Sequence, residues 1–209
     1  MNAHTKDTQD KVTPQLAKNT LVEGNTRFVQ GQQAGRDLMS QVKQTSTGQY
    51  PFATVLSCID SRVSSELIFD QGIGDIFSVR IAGNFVNEDI LGSMEFACKL
   101  AGTKLVVVLG HTACGAVKGA CDHARLGNLT ALINKIEPAV AAVAEPKDEA
   151  LRNSGNIDFV NEVAAKNVMM TIDNIRAKSQ VLAEMEAQSE IKIIGGMYDI
   201  KTGGVTFYE

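Results

Sequence analysis

Apolar positions along the chain change their period several times, and each change marks an element. In "TPQLAKNTLVEGNTRFVQGQ", Leu16, Leu21, Val22, Phe28 and Val29 recur at helical spacings between Pro14 and Gly31, which predicts a helix. "FATVLS" is nearly continuous in apolar residues and predicts a buried strand running up to Cys58. "SSELIFDQG" follows as a short helix closed by Gly72, and "DIFSVRIAG" as a second strand ending at Gly83. "NEDILGSMEFACKLAG" is amphipathic, with acids in its first turn and Gly102 just past its end, so it predicts a helix. "KLVVVLGH" is an apolar strand, and "ACGAVKGACDHA" begins another helix. Two more helices are expected near 129–143 and 157–188, separated by Pro146 and the "RNSGN" turn. "EIKIIGGMYD" and "GGVTFYE" close the chain as strands. Residues 1–11 are polar and predict a flexible tail, and "QTSTGQYP" predicts a mobile loop.

Strands apolar along their whole length, alternating with helices, imply an α/β fold. Its sheet is mainly parallel and flanked by helices on both faces. At 209 residues the chain suits one domain, 1–209, with a sizeable core. In such sheets functional groups lie beyond the carboxyl ends of the strands. Cys58 and His111 fall at two of those ends.

Composition narrows the partners. Hydrophobic residues make up 44% and charged residues 21%, an ordinary globular balance. A formal net charge of −4 offers nothing to attract nucleic acid or an anionic membrane. The absence of Trp and the 5% aromatic content argue against a base-stacking surface. No apolar run reaches the length of a bilayer span. No secretory signal is visible, so a cytoplasmic location is expected; the periplasm is the alternative if a signal peptide was removed.

Four cysteines, Cys58, Cys98, Cys114 and Cys121, are too few for a disulfide framework in a chain this long. Cys98 and Cys121 read as buried packing residues, but Cys58 and Cys114 fall where strands end. A lone cysteine there is more often a small buried hydrophobe. Here His111 lies three residues before Cys114, so one turn can aim both at a point beside Cys58. Two thiolates and an imidazole are a catalytic zinc set that leaves a fourth position for water. Cys114 also precedes a helix, whose N-terminus favours its thiolate. Asp60 and Arg62 follow Cys58 closely. A bidentate pair would keep Asp60 ionised, so that its carboxylate can only accept and can orient a bound hydroxide.

"CIDSRV", "VRIAGN" and "GHTACGAV" together resemble the β-class carbonic anhydrases, and the similarity runs from "LVEGNTRFVQG" to "GGMYD". The resemblance implies one Zn2+ per subunit on Cys58, His111 and Cys114, with Asp60 and Arg62 as a catalytic dyad. It also implies reversible hydration of CO2 to bicarbonate and a proton by a zinc-bound hydroxide that Asp60 orients. Asp60 is then able to cap the zinc as a fourth ligand in an inactive state. Gln49 matches a substrate-orienting glutamine, Phe77 an aromatic and Ala82 a small residue of the CO2 pocket, and Gly115 a glycine whose N–H meets bicarbonate. Phe96 stands where many members have Tyr. Val55 replaces the Trp of a second bicarbonate pocket to which Arg80 and Tyr198 would otherwise belong. The family assembles as a homodimer or a dimer of dimers, with the glutamine and the aromatics supplied across the interface. Residues 12–35 would then form a helical arm packed on a neighbouring subunit, although periodicity alone fits a helix on its own core equally well.

The same residues bear on three other chemistries. A cysteine phosphatase needs five residues between its Cys and Arg, whereas "IDS" supplies three, one of them acidic. A closed structural zinc site would make Asp60 a permanent ligand, a role that the neighbouring Arg62 opposes. Hydrolysis of carbon disulfide or carbonyl sulfide keeps the site but changes the substrate; Gln49 and the unextended chain favour CO2. His123 is a candidate proton carrier, more readily read as an exposed helix histidine.

Overall fold

A computed structural model describes residues 2–208; residue 1 of the expected tail and residue 209 of the final strand lie outside them. Five strands form one sheet: β1 (Ala53–Ser57), β2 (Ile76–Arg80), β3 (Leu105–His111), β4 (Lys192–Tyr198) and β5 (Val205–Tyr208). Their order is β2-β1-β3-β4-β5. The first four are mutually parallel, and β5 returns antiparallel along β4. The expected mainly parallel sheet is therefore present, with β2 and β5 as its edges.

Strand alternation divides the core. Val106 and Val108 of β3 face one layer, while Leu105, Val107 and Leu109 face the other. The first layer is built on α5 (Glu88–Glu95), α6 (Gly115–Cys121), α7 (Gly127–Ala142), α8 (Ile157–Lys178) and α9 (Gln180–Ala187). The second packs α2 (Pro14–Val29) and α4 (Ser65–Ile68) on the opposite face. Burial on both faces explains why β1 and β3 are largely apolar. At the edge the pattern loosens, and Ser78 and Arg80 of β2 are exposed.

Where α8 crosses β3 and β4, two glycines decide how closely it can approach. A Cβ on Gly110 would lie 2.6 Å from a Val168 methyl, and one on Gly195 would lie 2.7 Å from another. Neither distance is tolerable, so the missing side chains let α8 settle directly on the sheet.

Several elements differ from the sequence reading. The expected tail contains α1 (Lys6–Gln9), capped by Thr5. Its Gln9 is buried, and Nε2 donates to the carbonyls of Pro51 and Ala101 at 2.7 and 2.8 Å. Those two bonds compensate a buried amide that polarity alone places in solvent. A further helix, α3 (Leu38–Thr45), precedes the predicted loop, with Asp37 as its N-cap. The predicted helix 157–188 is two helices. Ser179 ends α8 and caps α9, its Oγ donating to Glu95 at 2.6 Å and accepting from the Leu182 N–H at 3.2 Å. A single Ser inside a periodic run gave no sign of that break. In α2, Ala17, Leu21, Gly24 and Asn25 face the chain's own core, whereas Leu16, Val22 and Val29 are exposed. Among the described residues, no helix is long and apolar enough to cross a membrane.

One ion cluster fixes the N-terminal helices. Asp70, buried at a left-handed turn after α4, accepts from Arg27 Nε at 2.6 Å, Arg36 Nη1 at 2.5 Å and the Ala34 N–H at 3.1 Å. Burial pushes its carboxyl up, but these donors outweigh burial and hold it below the ordinary range. A depressed folded value contributes stability that is complete above the unfolded value of about 4 and is lost as pH falls through the folded one. Asp70→Ala is expected to destabilise the fold by about 3–5 kcal/mol by leaving buried positive charge without its carboxylate. Urea unfolding at neutral pH measures that loss. The gap between variant and wild type should narrow below about pH 4.

Candidate metal centre

β1 and β3 are adjacent and in register, Ser57 opposite Leu109, so their carboxyl ends open onto the same crevice. Cys58 follows β1 directly, and His111 is the last residue of β3. Between His111 and Cys114 the chain turns through Ala113 in a left-handed conformation (φ 53°), and Cys114 becomes the N-cap of α6. The ligand atoms of Cys58, His111 and Cys114 all lie within 4.8 Å of one another, and all three residues are buried. The two sulfurs are 3.9 Å apart.

The chemistry of this donor set fits a zinc ion. His111 Nδ1 faces the Thr112 carbonyl at 3.0 Å, which places the ring proton there and leaves the Nε2 lone pair toward the sulfurs. Nε2 is buried and has no hydrogen-bond partner among the described residues. A buried imidazole nitrogen aimed at two thiols is what a missing ligand bond leaves behind. The Cys114 thiol stabilises a Cys58 thiolate against the penalty of burial, with His111 and the Gly83 N–H adding to the effect, so Cys58 ionises well below an ordinary thiol. The same contact, together with burial, pushes Cys114 up, although the N–H groups of Ala116 and Val117 favour its thiolate. Two thiolates this close need a cation between them, and a divalent metal satisfies both. Cys98 and Cys121 are pushed up by burial to about 11, so they remain neutral packing thiols.

Asp60 stands at the mouth of the site, Oδ2 lying 3.9 Å from His111 Nε2. Arg62 grips it in a fork, Nε to Oδ1 at 2.9 Å and Nη2 to Oδ2 at 2.7 Å, and the Arg62 N–H adds a bond at 3.0 Å. Those hydrogen bonds hold the Asp60 carboxyl far below the usual range. Arg80 braces the same loop from β2, donating to the carbonyls of Cys58 at 3.0 Å and Asp60 at 2.7 Å. No motif in the sequence pointed to that backbone clamp.

A cavity of about 340 Å³ opens beside Cys58, lined by it and by Asp60, Ala82, Gly115, Leu129 and Ile133 among others. Ala82 and Gly115 are thus brought to the site. Leu129 and Ile133 were missed; their i, i+4 spacing marks one helix face but does not say that the face overhangs a strand end. Gln49 and Phe77 are not in this cavity. Gln49 is exposed, and it lies in the segment that leads into β1, before the strand end opposite Cys58. Phe77 packs edge-on against the exposed Phe96, ring centroids 6.2 Å apart, in a groove along the β2 edge. Val55 is fully buried in β1, and Tyr198 ends β4 opposite His111. His123 is exposed beyond the far end of α6 and faces Glu137 at 3.2 Å.

Residues 53–205 match the carbonic anhydrase family. Carbonic anhydrase 2 of Mycobacterium tuberculosis is 34% identical over 196 residues, covering 91% of this chain and 90% of the relative. The carbonic anhydrase of Mycolicibacterium smegmatis is 33% identical over 198 residues, 92% of each chain. Among solved structures, the β-carbonic anhydrase CcaA superposes with a TM-score of 0.71 at 23% identity, covering 92% of this chain and 87% of that one. The β-carbonic anhydrase CafA of Aspergillus fumigatus gives 0.68 at 24% identity, with 93% and 89% covered. These two likenesses establish the fold; the mycobacterial relatives and the matched family carry the kinship in sequence. With the motifs of its strand ends gathered into one buried thiolate–imidazole cluster, the chain belongs to the β-class carbonic anhydrases.

Proposed function

We propose that this protein hydrates CO2 reversibly to bicarbonate and a proton, using zinc held by Cys58, His111 and Cys114. One observation carries the reading: three convergent donors meet beside a largely apolar cavity that Cys58 lines, and the Asp60 carboxylate at its mouth is held by Arg62. The metal, when bound, supplies the acidification that makes water a nucleophile near neutral pH.

The chain's own groups account for the rest. An ionised Asp60 has no proton to donate, so it accepts from the nucleophile and turns a lone pair toward the carbon of CO2. Arg62 keeps that carboxylate ionised and fixed in place. Ala82, Leu129 and Ile133 give CO2 a weakly hydrated wall, and the Gly115 N–H offers a donor to the oxyanion that forms. Gln49, in the segment before β1, and Phe77, near the start of β2, do not line their own cavity, so their part in binding CO2 falls to a second copy. The open β2 edge and the exposed Leu16, Val22 and Val29 of α2 support such a homodimer, with the helical arm 12–35 embracing its partner.

Stopped-flow CO2 hydration from about pH 6.5 to 9, with zinc quantified on the same sample, tests the proposal. Activity should track zinc content and fall toward acid. Asp60 stays ionised over this whole range, so its protonation is not the cause of the fall. A fall centred near pH 7 fits simple acidification of water at the site. A steep fall already below about pH 8 fits Asp60 leaving Arg62 to cap the metal. Full activity in zinc-free protein would overturn the reading.

A further inference from the structure

Helix α8 contributes nothing to the donor set, yet two of its asparagines reach turns at the site, one that carries ligands and one that contacts the Cys58 sulfur. Asn161, near its start, accepts from the Ala113 N–H through Oδ1 at 2.8 Å. Ala113 is the left-handed residue between His111 and Cys114, so this bond fixes the turn that aims both ligands. Asn167, six residues on and roughly 9 Å along the helix, donates from Nδ2 to the Gly83 carbonyl at 2.8 Å. Gly83 in turn donates its N–H to Cys58 Sγ at 3.4 Å.

Asn167 is only 3% exposed and interrupts an apolar helix face made of Val160, Val163, Ala164, Val168 and Ile172. A buried amide there is costly unless it is hydrogen-bonded, and the Gly83 carbonyl is the partner that offsets the cost. Gly110 and Gly195 supply the close approach of α8 to the sheet, from which its asparagines bond the Ala113 and Gly83 turns.

We propose that Asn161 and Asn167 are positioning residues: from one helix, Asn161 braces the turn that presents His111 and Cys114, and Asn167 braces the Gly83 turn whose N–H meets the Cys58 sulfur. This rests on the metal-site reading above. The two amides act in opposite senses, Asn161 as an acceptor and Asn167 as a donor, and that difference gives the test. Partners of this kind typically change metal affinity by about 10- to 100-fold.

The experiment compares full-length wild type with N161A, N161D, N167A and N167D. Zinc affinity is measured by competition with a chromophoric chelator, and the thiolate-to-metal absorption of the cobalt-substituted proteins is recorded in parallel. Both alanine variants should bind zinc roughly 10-fold or more weakly and show altered cobalt spectra. N161D keeps the acceptor and should recover wild-type behaviour, whereas N167D loses the donor and should not. Thermal unfolding of the metal-free proteins separates loss of fold from loss of aim. If the buried Asn167 variants fail to fold, the N161A and N161D pair decides alone. Wild-type affinity and spectra in N161A, or failure of N161D to recover them, would overturn the proposal. A wild type that takes up no zinc would instead overturn the metal-site reading beneath it.

Discussion

Cys58→Ser is expected to release zinc and reduce CO2 hydration to background, a loss of several orders of magnitude. A serine hydroxyl stays protonated at neutral pH, so the substitution removes one of two negative charges from the donor set as well as a soft ligand. The Gly83 N–H that now meets the Cys58 sulfur cannot compensate, because it stabilises a thiolate that no longer exists. His111→Ala should act alike, removing the donor whose Nε2 has no hydrogen-bond partner among the described residues. Cys98→Ser and Cys121→Ser serve as controls: both thiols stay neutral, so zinc content should be unchanged. Elemental analysis and stopped-flow hydration on the same preparations check the set. Persistent activity in a zinc-free Cys58→Ser protein would end the account of the mechanism.

Asp60→Ala is expected to keep zinc and lose activity on the order of 10²-fold, the scale of a misplaced reacting group. The three donors already suffice to hold the ion, and Asp60 is occupied by Arg62. The loss should fall on kcat, because orientation of the nucleophile matters at the transition state and not in capture of CO2. Asp60→Asn should fare little better, since its amide presents N–H groups where the carboxylate presents acceptors. Loss of zinc together with activity would instead mark Asp60 as a structural ligand. Unchanged kcat with zinc retained would remove it from the mechanism.

Much of the site was legible before any coordinates because its residues sit at positions that local patterns define. β1 and β3 are largely apolar and buried on both faces, so their ends stand out, and the first ligating residues there are Cys58 and His111. Asp60 and Arg62 are two apart, close enough for their pairing to follow from the short loop between them. What the pattern could not supply were bonds between residues distant in the chain. Arg80 on Cys58, Asn167 on Gly83 and Gln9 on Ala101 join segments 22, 84 and 92 residues apart. A polar residue in such a place looks like a surface residue until its partner is seen.

By itself, the sequence determined the alternation of strands and helices, the mainly parallel sheet, the donor types and the acid–base pair beside them. Each of these depends on local periodicity or on neighbours a few residues apart, where chain geometry leaves few choices. Tertiary structure decided that the strand ends meet within ligand distance, that Ser179 splits the last long helix, and that α8 lies near enough to bond the Ala113 and Gly83 turns. It also placed Gln49 and Phe77 away from their own cavity. Those outcomes depend on packing distances set by the whole core, by Gly110 and Gly195 among others, which no local pattern encodes.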